Sequence, residues 1–72
     1  MELIEHVSEQ RMRREEAADR LRRLADELAR HNEISFEREG IRYSVDVPDE
    51  VNLKLEVEVG AEGSEIEVEL TW

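Results

Sequence analysis

The chain has 72 residues, no cysteine, and 20 acidic against 10 basic side chains, for a formal charge of −10. At this length a folded chain buries only about 60% of its unfolded surface, so one small core is expected and a deep pocket is not. Disulfides and cysteine-ligated metals are excluded. No apolar run approaches the roughly 18 residues of a membrane helix. The acidic start, Met1-Glu2-Leu3-Ile4-Glu5-His6, is not that of a secretory signal, so a cytoplasmic protein is the expectation.

In chain order, residues 2–10 come first. Leu3, Ile4 and Val7 allow an edge strand or an extended arm, and the strand is preferred because it widens the sheet. A helix is predicted over 13–31. Ala17, Leu21, Leu24, Ala25 and Leu28 fall within about 100° of one another on a helical wheel, whereas Met12 falls about 180° away. Glu15 and Glu16 suit the positive end of the helix dipole, and Arg30 and His31 suit the negative end. Asn32 is the predicted left-handed residue that ends the helix. No Ser, Thr, Asp or Asn stands at the N-cap.

After Asn32 the apolar period drops to two. Ile34 and Phe36 alternate with polar residues, as do Ile41, Tyr43, Val45 and Val47, then Val51, Leu53, Leu55, Val57 and Val59, then Ile66, Val68, Leu70 and Trp72. Strands are predicted at 33–38, 41–47, 51–59 and 65–72. Glu39-Gly40, Pro48-Asp49-Glu50 and Gly60-Ala61-Glu62-Gly63 separate them, each short enough for a hairpin. The expected architecture is α+β. It is a two-layer sandwich of residues 1–72 in which one helix packs on an antiparallel sheet of four to five strands, in the order β-α-β-β-β-β. The helix stripe and the apolar strand faces, Trp72 included, form the expected core, with Leu21, Leu24 and Leu28 against Val45, Leu55 and Val68.

The charge is uneven. Residues 1–36 hold nine acids and seven bases, for −2, and residues 37–72 hold eleven acids and three bases, for −8. Lys54 is the only lysine. Repulsion at this density weakens a compact state in dilute buffer, and molar salt mutes it. The acidic surface, the near absence of Lys and the few large aromatics together indicate adaptation to high salt.

Four segments carry a resemblance. They are Ser8-Glu9-Gln10-Arg11-Met12; Arg14-Glu15-Glu16-Ala17-Ala18 with Leu21 and Leu24-Ala25; Val45-Asp46-Val47-Pro48-Asp49-Glu50-Val51; and Glu65-Ile66-Glu67-Val68-Glu69-Leu70-Thr71-Trp72. In this order and spacing the chain resembles the amphi-Trp domain family, small domains common in halophilic archaea that end in alternating acidic and apolar residues and a tryptophan. The likeness covers nearly the whole chain and rests on the order of the segments and on Trp72. Arg13 departs from it, standing where the family pattern has a Ser or Thr cap. The resemblance implies no catalytic residue. It bears on fold and source, not on an activity.

The candidate site residues fall into three groups. Trp72 shares the parity of Ile66, Val68 and Leu70, so it either closes the core or anchors a partner. The acidic sheet face carries Glu56, Glu58, Glu65, Glu67 and Glu69, relieved by Lys54 and Arg42. It reads as a salt-adapted solvated face, or as a docking surface for a basic partner. Asp46, Asp49 and Glu50 around Pro48 are weaker candidates for a hard cation. The third group is the Arg-rich stretch. Arg13, Arg14, Arg20 and Arg22 offer phosphate-matching forks, the alternative reading being a nucleic-acid-associated regulator. Five i,i+4 pairs, Glu16–Arg20, Asp19–Arg23, Arg22–Asp26, Arg23–Glu27 and Asp26–Arg30, instead favour a self-paired helix face.

His6 and His31 are isolated, so a transition-metal site is not expected. No phosphate loop, dinucleotide fingerprint or nucleophile elbow is present. The reading is a small non-catalytic acidic domain, a protein-interaction or self-association module. Its partner is another protein or a second copy, with no cofactor, small-molecule substrate or membrane.

Overall fold

The computed structural model describes residues 3–72. Helix α1 spans Arg14–Arg30, followed by β1 (Glu33–Arg38), β2 (Ile41–Asp46), β3 (Asn52–Val59) and β4 (Ser64–Thr71). The class is α+β, one helix packed against four antiparallel strands.

Helix α1 is built almost wholly from Ala, Leu, Arg and Glu, the strongest helix formers. Its N-cap is Arg13, whose extended backbone (φ −70°, ψ 151°) has no capping side-chain bond. Arg13→Ser is therefore expected to stabilise the protein by about 1 kcal/mol, read as an upward shift of the urea midpoint. No shift would mean that the first turn is already satisfied. Asn32 does not adopt the left-handed conformation predicted for it, since Glu39 is the one non-glycine residue of positive φ among the described residues. The chain goes straight from His31 (φ −130°, ψ 153°) into the sheet. The Asn32 carbonyl accepts the Val47 N–H at 2.6 Å, extending the β1–β2 ladder by one step.

Strands β1 and β2 pair from Glu33↔Asp46 to Arg38↔Ile41. That register leaves the two-residue loop Glu39-Gly40, with φ of 53° and 78°. Two successive positive φ values are the signature of a type I′ turn, whose twist matches that of the strands. Strands β3 and β4 pair from Asn52↔Thr71 to Val59↔Ser64. Their loop is closed by Gly60 N–H donating to the Gly63 carbonyl at 3.0 Å.

The structure corrects two of the expectations. The four strands form two separate two-stranded sheets, β1-β2 and β3-β4, in place of one continuous meander. Pro48 lies in the connection between them, where it cannot donate to a ladder. The preferred N-terminal strand is also absent, because residues 3–10 lie as an extended arm with no sheet partner; residue 2 is outside the described residues. Two contacts tie the arm down. Arg38 Nη1 donates to the Glu5 carbonyl at 3.1 Å, and the His6 ring stacks on Phe36 with centroids 4.8 Å apart and planes at 21°.

The expected core is also incomplete. Among the described residues none is buried. Leu24, Leu28, Ile34, Phe36, Val45, Val47, Leu70 and Trp72 do come together around a groove of about 270 Å³ between the helix and the strands. Leu21, Leu55 and Val68, predicted to lie in the same layer, remain exposed.

Candidate functional site

The β3–β4 hairpin is a two-faced ribbon. Its register sets Leu55 opposite Val68 and Val57 opposite Ile66 on one face, and Lys54 opposite Glu69, Glu56 opposite Glu67 and Glu58 opposite Glu65 on the other. The five predicted glutamates thus share one surface. Lys54 Nζ lies 3.3 Å from Glu56 Oε2, relieving one end of it. Two directly opposed like-charge pairs, Glu56–Glu67 and Glu58–Glu65, remain.

The apolar face of the ribbon leaves the body of the protein as it goes. Exposure climbs from 38% at Val51, just before β3, through 57% at Leu53 and 68% at Leu55 to 82% at Val59. On β4, Leu70 is half-buried at the groove, Val68 is 47% exposed and Ile66 is 78% exposed. Helix α1 packs on β1, and the hairpin faces it only across the groove that Leu70 helps to line; the outer half of the hairpin carries branched aliphatic side chains into solvent.

Trp72 lies at the rim, lining the groove with Leu70 and Leu24 while remaining 62% exposed. Trp72→Ala is therefore expected to cost about 1 kcal/mol in urea unfolding, well short of the cost of losing a fully buried aromatic side chain. Its emission in the dilute chain is expected to be that of a largely hydrated indole. A loss above about 3 kcal/mol with blue-shifted emission would contradict this placement.

The arginines are not gathered. Arg13 caps α1 and Arg14 opens it. Arg20 and Arg22, two residues apart, project in directions about 160° apart. The one ion pair of good geometry on the helix is Arg22 Nη1–Asp19 Oδ1 at 2.8 Å, an i,i+3 contact. Arg14–Glu15 is longer, at 3.8 Å, and almost fully exposed. None of the five predicted i,i+4 pairs closes among the described residues, as long exposed side chains gain little by closing such pairs. Asp46, Asp49 and Glu50 do not converge either: among the described residues no group of three or more His, Asp or Glu side chains is placed to hold a metal ion. Among the described residues no helix is long and apolar enough to cross a membrane.

One cluster had no signal in the sequence. Phe36 stacks on both His6 and Tyr43, the latter with centroids 5.4 Å apart and planes at 17°. Strand pairing foretells Phe36–Tyr43, which are register partners. His6 is 30 residues away in an aperiodic arm, and no local pattern marks it for this contact.

Helix, hairpins and terminal aromatic together define a small α+β domain whose last element is an amphipathic ribbon ending in tryptophan. Residues 2–72 match the Amphi-Trp domain, and the chain belongs to that family, small domains of unestablished activity. No curated protein and no solved structure matches it.

Proposed function

We propose that the chain is a protein-interaction module whose hydrophobic layer is completed by another polypeptide. The observation that carries this reading is the absence of any buried residue among those described, together with the exposed aliphatic face from Leu53 to Val59 and from Ile66 to Val68. Soluble monomers rarely leave a contiguous apolar face of this kind uncovered. Trp72, at the junction of that face with the groove, is the natural edge of the contact. Glu56, Glu58, Glu65, Glu67 and Glu69 share the opposite face of the ribbon, with Glu56 and Glu67 half-buried against each other's strand, and there they add to solubility in a salt-rich cytoplasm and offer a surface to basic partners. A nucleic-acid role is disfavoured by the divergence of Arg20 from Arg22 and by the net charge of −10.

The test is binding of the apolar dye ANS by the chain at sub-micromolar concentration in molar KCl. The monomer should bind the dye, and Leu55→Glu should abolish binding without loss of helical circular dichroism. A folded monomer that binds no dye would mean that the chain covers its own face.

A further inference from the structure

The occupant of the open face can be specified, on the footing of the module reading above. We infer that the apolar face of the β3–β4 hairpin is covered by a second copy of this chain, in a two-fold contact.

Area is the first argument. A folded monomer of 8.5 kDa is expected to expose about 4,700 Å², whereas this chain exposes 7114 Å². The surplus is about 2,400 Å² per chain. Obligate homodimers lose roughly 1,000–2,500 Å² per subunit; the hairpin face supplies part of this surplus, and the exposed arm and helix supply the rest. The radius of gyration agrees: it is 14.2 Å, against about 11 Å for a closed domain of this length.

Self-complementarity is the second argument. A two-fold interface requires a surface that fits itself. The hairpin face presents Leu55, Val57, Ile66 and Val68 with no charged residue among them, because strict alternation sends every glutamate of both strands to the reverse side. Two such ribbons stack face to face at about 10 Å, as in any sheet sandwich. Charge points the same way. Two chains of −10 each can approach only through a face that carries none of that charge. In this arrangement the two glutamate ranks face outward, separated by the full thickness of the sandwich. Association must then strengthen with salt, as screening removes the remaining repulsion.

Sedimentation of the full chain at micromolar concentrations, in dilute buffer and in about 2 M KCl, tests this inference. The expected mass is twice 8.5 kDa, with tighter association at high salt. Val57→Arg should weaken association at least about tenfold, while Glu58→Gln, on the reverse face, should not weaken it. Should Val57→Arg fail to fold, a single cysteine serves instead, since the chain has none of its own. Val57→Cys should be joined to a second chain by a short bis-maleimide, and Glu58→Cys should not. A chain that sediments at 8.5 kDa under all conditions overturns the inference. If that monomer still binds ANS, the module reading stands and the cover is a different protein. If it does not, both fall together.

Discussion

Phe36→Ala is expected to lower stability by about 2 kcal/mol and to release the N-terminal arm. The ring is half-buried, borders the groove and stacks on both His6 and Tyr43. Truncating a fully buried Phe costs about 3–5 kcal/mol, and partial burial scales that down. The arm is held otherwise only by the bond from Arg38 to the Glu5 carbonyl among the described hydrogen bonds. With the Phe36 ring gone, the His6 ring protons should lose their ring-current shift in NMR spectra. A loss under about 0.5 kcal/mol, or an unchanged His6 spectrum, would show that the stack does not hold the arm.

The second large effect is that of salt. The melting temperature should rise by several degrees between dilute buffer and about 2 M KCl. Glu56–Glu67 and Glu58–Glu65 face each other directly across the hairpin, and each opposed pair costs a few tenths to about 1 kcal/mol when unscreened. For a domain of this size 1 kcal/mol corresponds to about 4–8 °C. Glu56→Gln with Glu67→Gln should raise the melting temperature in dilute buffer and flatten the salt response. A melting temperature independent of salt would contradict the proposed adaptation to high salt.

The elements themselves were legible because they follow from periodicity. The stripe from Ala17 to Leu28 and the alternation from Ile34 onward need no knowledge of distant contacts, and Glu39-Gly40 and Gly60–Gly63 mark their own turns. Parity alone predicted that Glu56, Glu58, Glu65, Glu67 and Glu69 share a face. What periodicity does not carry is the partner of each face. The alternation of Leu55 and Val57 states that one side of β3 seeks cover, not that helix α1 is the cover. The expected single core assumed that it was, whereas the helix packs on β1 and only Leu70 and Trp72 border the groove beside it. Likewise Leu3, Ile4 and Val7 signal an apolar segment, but only the tertiary contacts of His6 and Glu5 show it as an arm and not a strand. The i,i+4 pairs failed for a different reason: spacing permits them, but exposed charges gain too little to be held in one rotamer.

A fold finished by association ties its stability to the concentration of the chain. The most direct test is the melting temperature of the full chain over a hundredfold range of concentration in molar salt. If two copies complete one another, unfolding is coupled to dissociation, and the melting temperature should climb by about 5 °C for each tenfold increase in concentration. A sharp transition at one temperature throughout the range would show that the chain folds to completion alone, contradicting the account.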